Sequence, residues 1–126
     1  VWRREAEGGT GRRLFVAEGE AGVLGFANLG PYRTQPHEPP GQGAGEAELL
    51  ALYLRPGQQR RGIGRALWQA VLAEARTLGH PALRLWVIAG NPAERFYAAM
   101  GTRPVGQNTF DAHGTPVREI CCRIEL

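Results

Sequence analysis

The hydrophobic positions of this chain change period several times, and each change predicts an element. Residues 13–17 (Arg-Leu-Phe-Val-Ala) alternate as a strand, residues 18–22 read as a turn, and residues 23–29 read as its antiparallel partner. Residues 32–45 hold three Pro and three Gly and predict a loop, of a length that in compact domains often serves as a lid. Ala47–Leu54 is an apolar run with a charged start, the pattern of a central strand buried on both faces, and Arg55-Pro56-Gly57 ends it. From about Gly62 the period becomes helical, with Ile63, Leu67, Val71, Ala75 and Leu78 on one side and Gly79 suited to the closing cap.

Ala82–Ile88 reads as the next strand. Asn91-Pro92-Ala93-Glu94 is a helix start, with an N-cap, a Pro at the first helical position and a Glu three after the cap. Gly101 stops that helix, and two strands follow at residues 104–111 and 117–126, joined at Ala112-His113-Gly114. Residues 1–11 are polar and Gly-rich without a pattern, which fits a helix end or an extended arm. The predicted order is β-β-β-α-β-α-β-β, one α/β (α+β) domain over residues 1–126 with helices packed on a mixed sheet.

Composition removes several chemistries. The 126 residues include no Ser and no Lys, so serine nucleophiles, Schiff-base lysines and the P-loop lysine are excluded. Cys121 and Cys122 are adjacent in a predicted strand and should point to opposite faces, one buried and one outward, which argues against a disulfide or a Cys-type zinc site. No apolar run approaches the roughly 20 residues of a membrane helix and no signal peptide is visible, so a cytoplasmic protein is expected, with no membrane partner and no metal. All fifteen basic residues are Arg and the net charge is +3, but they are dispersed, which speaks against a nucleic-acid partner.

The segment that carries chemistry is Gln59-Arg60-Arg61-Gly62-Ile63-Gly64-Arg65, between a buried strand and a helix. The first amides of a helix lack intrahelical acceptors and the helix dipole favours negative charge there. Gly62 and Gly64 let a phosphate approach the backbone, and the arginines add charge. The dinucleotide fingerprint would need Gly or Ala where Leu67 stands, and the triphosphate loop would need a lysine.

Gln/Arg-x-x-Gly-x-Gly/Ala at this place resembles the signature of the GNAT superfamily of N-acetyltransferases, and Gln59 to Gly64 match it fully. Leu-Tyr-Leu-Arg-Pro before the loop and Asn-Pro-Ala-Glu-Arg-Phe-Tyr-Ala-Ala-Met-Gly after it are similar to the family's fourth strand and fourth helix. The resemblance covers residues 13–126 and is specific over residues 46–101. It implies a mostly antiparallel sheet with a splayed central strand pair, and acetyl-CoA as co-substrate. Its pyrophosphate would lie on Gln59, Arg60, Arg61, Gly62, Ile63, Gly64 and Arg65, and its pantetheine arm along Leu52, Tyr53 and Leu54. Asn91 would contact the pantetheine or only cap a helix; from Asn91 to Tyr97 is six residues, where many members have seven.

The resemblance also implies that Tyr97 protonates the departing thiolate and that an amide of residues 52–54 polarises the thioester carbonyl. Glu48, six residues before Leu54, would deprotonate the acceptor amine; it is read as sharing a face with Leu50, Leu52 and Leu54, where burial would raise its pKa. Glu46 acting through water is the alternative base, while Trp86 stands where another branch of the family has a Glu. His37 and His113 lie in loops, and His80 is read as surface. The acceptor is a small-molecule or peptide amine, and a homodimer is left open. A full member opens with a strand and two helices, for which residues 1–12 are too few, so an N-terminally short domain is expected. A non-catalytic acyl-CoA-binding or regulatory module is the competing reading.

Overall fold

The computed structural model describes residues 2–6, 11–20, 22–58 and 62–126. Its elements are β1 (Trp2–Ala6), β2 (Arg13–Gly19), β3 (Gly22–Pro31), β4 (Ala47–Leu54), α1 (Ile63–Thr77), β5 (Ala82–Ile88), α2 (Pro92–Ala99), β6 (Arg103–Ala112) and β7 (Thr115–Glu125). They form a seven-stranded sheet in the order β1-β2-β3-β4-β5-β7-β6. Every neighbouring pair is antiparallel except β4 and β5, whose crossover is α1.

The order differs from the expected one by one strand. Residues 2–6, read as an arm or helix end, pair with β2 from Trp2↔Ala17 to Ala6↔Arg13. Arg3, Arg4 and Glu5 hide a strand from a hydrophobic count, because strand pairing is a backbone property that polar residues also satisfy.

Of the predicted stripe α1 buries Leu67, Val71 and Ala75, with Ile63 partly buried, and adds Trp68 and Leu72, all against Phe15, Ala27, Leu29, Ala47 and Leu49 of the sheet. Leu78 falls just past the helix and stays exposed. On the buried side of α1, Glu74 is paired with Arg13 of β2 at 3.2 Å. α2 starts as expected: the Asn91 side chain accepts from the Ala93 amide at 2.9 Å, and Pro92 opens the helix. Glu94 reaches one residue further back than a capping box would, accepting from the Gly90 amide at 2.9 Å.

Two features shape the centre of the sheet. β4 carries an extra residue against β3, since Leu29 pairs with Leu49 but Asn28 pairs with Ala51. Leu50 is the bulged residue, and the alternation of faces reverses across it. Ala47 and Leu49 face α1 before the bulge, and Leu52 and Leu54 do so after it. Glu48 therefore lies on the far face, opposite Gly30, and does not share a face with Leu52 and Leu54 as plain alternation predicts. The second feature is that β4 and β5 pair only at Ala47↔Leu83 and Glu48↔Arg84 and then diverge. The burial of β4 reflects this: residues 47–49 are buried, residues 51 and 53 are exposed, so only its first half is the doubly covered strand expected.

Cys121 and Cys122 are free and do face opposite sides, but both are buried. Cys122 lies in the main core, while Cys121 lies on the far face against Arg84, Trp86 and the residues 37–42 of the long loop. That loop covers a sheet face that the sequence reading left open to solvent. Burial pushes the Cys121 thiol up to about 11, despite its contact with the Arg84 guanidinium.

Candidate active site

α1 begins without a side-chain cap. Its N-cap is Gly62 in the left-handed conformation (φ 75°), and its first turn contains no acidic residue. The opening amides of a 15-residue helix are thus available to an anion. A Cβ built at Gly62 would meet nothing within 4 Å, so the space above the helix start is open, and the glycine is required by its φ. At Gly64 a Cβ would come to 3.4 Å from Leu54 and 3.7 Å from Phe96, ordinary van der Waals contact, so a small side chain would fit there.

From this helix start a groove of about 630 Å³ runs along Leu52, Tyr53 and Leu54 to Asn91, Ala93, Phe96 and Tyr97. It joins a cleft of about 220 Å³ lined by residues 49–52 of β4 and 85–88 of β5, with Asn91, Ala93 and Tyr97 closing one side. The cleft exists because the strands diverge after Glu48↔Arg84. Backbone groups that a regular sheet would pair across β4 and β5 are left there for a ligand. Tyr53 contributes its main chain; its ring stands on the other face, 5.7 Å from Phe26.

Tyr97 is buried on α2, packed on Trp68 (5.5 Å) and Phe96 (5.2 Å). Burial, with a smaller contribution from Cys122, pushes its phenol up to about 12, so it keeps its proton at neutral pH. Its hydroxyl has no hydrogen-bond partner among the described residues, although the ring lines both the groove and the cleft.

On the far face the acidic residues are engaged. Glu48 is 3% exposed and accepts from the Arg33 amide (3.1 Å), Nε (3.2 Å) and Nη2 (3.1 Å). Glu46 accepts from Arg84 Nε at 2.8 Å and from Arg123 Nε at 3.0 Å. Burial would raise the Glu46 carboxyl, but the hydrogen bonds and charges of Arg123 and Arg84 outweigh it and hold it below the ordinary carboxylate range. A carboxylate so stabilised accepts a proton less readily than an unpaired one.

The family comparison fits this arrangement. The model of the acetyltransferase (GNAT) family matches residues 2–102. The chain belongs to that family. It is similar to an uncharacterized N-acetyltransferase, YuaI, of Bacillus subtilis (strain 168), with 35% identity over 108 residues, covering 85% of this chain and 59% of the relative. The chain thus spans less than two thirds of that relative's length. It is also similar to the crystal structure of a ribosomal-protein-alanine N-acetyltransferase from Brucella melitensis (26% identity, TM-score 0.76, 92% of this chain and 70% of that one). The fold is shared as well with yncA of Salmonella typhimurium, solved with its cofactor acetyl-CoA (22% identity, TM-score 0.75, 91% and 65% covered).

In this GNAT chain the expected donor-side residues Leu52, Tyr53, Leu54, Gly62, Gly64, Arg65, Asn91 and Tyr97 line one groove, while Ile63 packs against the core instead. Gln59, Arg60 and Arg61 lie outside the described residues. Sequence reading missed Arg33, Arg84 and Arg123, the partners of Glu48 and Glu46. One signal was present: Arg84 is the single charged residue in the apolar strand Ala82–Ile88, and a charge in such a place requires a partner. It also missed Tyr32, whose hydroxyl donates to Glu38 (2.7 Å) and accepts from the Trp86 indole (3.1 Å), tying the long loop to β5. His37 adds an edge-on contact with Trp86, and His80 is tied down through Nδ1 to the Gly45 carbonyl at 2.9 Å. No helix among the described residues is long and apolar enough to cross a membrane.

Proposed function

We propose that the chain is an acetyl-CoA-dependent N-acetyltransferase acting on a primary amine of a small molecule or peptide by direct attack. The observation that carries this reading is the parallel pair β4 and β5, joined at two rungs and then open onto an uncapped, glycine-led helix start. A pyrophosphate fits the free amides of residues 63–65 with Arg65 beside them, and Gln59, Arg60 and Arg61 would complete that cradle. An extended arm fits along residues 52–54 as an added strand. Acetyl-CoA, when bound, supplies an acyl group activated as a thioester.

The chain's own groups then have three tasks. A β4 amide beyond the Leu50 bulge, unpaired toward β5, donates to the thioester oxygen as charge develops there. Glu48, at the last rung before the cleft and on the far face, takes the proton of the incoming amine once the Arg33 guanidinium yields one carboxylate oxygen. Tyr97 holds its proton at the mouth of the cleft and donates to the departing sulfur. The absence of any partner for its hydroxyl among the described residues supports this role. Asn91 has its oxygen committed to the helix cap, which leaves the amide NH₂ for the arm.

A second reading, an acyl-CoA-binding module without turnover, is favoured by the three hydrogen bonds that tie Glu48 to Arg33. Calorimetry with acetyl-CoA and thiol release across a panel of amines distinguish the two. Binding with amine-dependent thiol release supports the enzyme, binding without it supports the module, and no binding overturns both.

A further inference from the structure

The groove and the cleft share Leu52, Asn91, Ala93 and Tyr97, so they form one path. A ligand anchored by phosphates at the start of α1 ends in the cleft. The cleft has a blind end, the rungs Ala47↔Leu83 and Glu48↔Arg84 where β4 and β5 close. On the core side Leu49 and Leu85 wall that end, both almost fully buried.

Two rungs at the end of a divergent parallel pair are a weak closure, because terminal pairs open locally at small cost. Here the closure is reinforced from outside. Glu46 immediately precedes β4, and its carboxylate binds Arg84 of β5 (2.8 Å) and Arg123 of β7 (3.0 Å and 3.4 Å). Arg84 is itself in the last rung and 8% exposed, so the charges are shielded from water. Three strands are thereby fastened by one carboxylate just behind the wall that a longer acyl chain would have to push apart.

We infer that the Glu46–Arg84–Arg123 cluster fixes the depth of the acyl pocket and makes it select an acetyl group over longer acyl groups. The inference rests on the acyl-CoA-binding function proposed above. Glu46 acts as a positioning residue: it touches no ligand and works through the closure of β4 on β5. One methylene too many in a pocket of fixed shape typically costs ~10–200-fold in discrimination. A loosened closure yields to the extra methylene and loses most of that factor.

The test is calorimetric titration of the whole chain with free CoA, acetyl-CoA, propionyl-CoA and butyryl-CoA, in the wild type, Glu46→Gln and Arg123→Met. No acceptor amine is needed. The wild type should bind propionyl-CoA at least about tenfold more weakly than acetyl-CoA, and butyryl-CoA more weakly still. In Glu46→Gln the three acyl-CoAs should come within about threefold of one another, while affinity for free CoA, which has no acyl group to accommodate, stays put. A role in fold stability alone would shift free CoA together with the others and leave the ratio unchanged, which overturns the inference. Equal binding of all three by the wild type overturns it too. Arg123→Met, which leaves Arg84 on Glu46, should give an intermediate ratio and decides the matter if Glu46→Gln does not fold. A wild type that binds no free CoA has a different signature and takes down the proposed function along with the pocket.

Discussion

The two long sides of β4 carry similar apolar residues and do opposite things. Toward β3 the strand is paired from Ala47 to Leu54, with seven register pairs and one bulge. Toward β5 it is paired at two. Propensity cannot account for this, because the same residues supply both sides. The difference lies in the neighbours: β3 is antiparallel and runs alongside, whereas β5 is parallel, reached through α1, and tilts away as it goes. On the first side the hydrogen bonds close the core. On the second they stay available, and the residues around them are apolar enough to keep water from saturating them. The paired side of the strand thus holds the open side in place.

The largest effect should come from the far end of the open side. Gly62→Asp puts a carboxylate and a strained backbone where φ is 75°, and affinity for acetyl-CoA should fall by roughly a thousandfold or more with the circular dichroism spectrum retained. Unchanged affinity by calorimetry would detach the phosphate site from α1 and leave the open edge of β4 without a ligand. Next is Tyr97→Phe, where turnover should drop ~10- to 1000-fold while acetyl-CoA affinity stays within about threefold. If the variant runs at the wild-type rate, Tyr97 belongs with Trp68 and Phe96 in the packing.

Glu48→Gln sits where the two sides meet. A loss of roughly 10- to 100-fold in turnover, with coenzyme affinity kept, is expected for removal of a base. Since the change also weakens the Arg33 contact, Arg33→Met is the control; full activity in Arg33→Met with loss in Glu48→Gln separates proton transfer from scaffolding. The smallest effect concerns the closed end alone. Glu46 is held below the ordinary carboxylate range in the folded state, so its contribution to stability is complete above the unfolded pKa and disappears as pH falls through the folded one. At pH 7 Glu46→Gln should be less stable than the wild type by about 2 kcal/mol, the scale of hydrogen bonds to a charged group. That gap should narrow below about pH 4 in urea titrations. A gap that persists at low pH would mean that Gln misfits the site for reasons of shape.

The elements of residues 13–126 were legible because their apolar residues fall at strand and helix periods, and because Asn91, Pro92 and the glycines mark their ends. That the residues expected at the helix start share one groove was legible for the same reason: a glycine-led helix start is a local motif, and Gly62, Gly64 and Tyr97 lie within two consecutive strand–helix units. β1 was not legible, since Arg3, Arg4 and Glu5 offer no apolar alternation and only the neighbouring strand reveals the pairing. The orientation of Glu48 and the partners of Glu46 were hidden for a different reason. The first depends on a bulge that no residue type at Leu50 announces, and the second on contacts 38 and 77 residues apart in the chain. The buried Cys121 belongs with these, because its cover comes from a loop whose composition says only that it is a loop.

The bulge at Leu50 has a consequence for how this segment tolerates change in length. It acts as a phase shift: even-numbered residues before it face one way and even-numbered residues after it face the other. A single-residue deletion between Glu48 and Leu52 would remove the extra residue and restore uniform alternation, with the carboxylate still on the far face and Leu52 and Leu54 still toward the core. Substitutions there alter one side chain at a time and can be absorbed by neighbours. Loss of the one extra codon leaves both half-strands facing as they do now, so lineages descending from this sequence should include forms one residue shorter at this point, with an apolar residue kept at the position of Leu49.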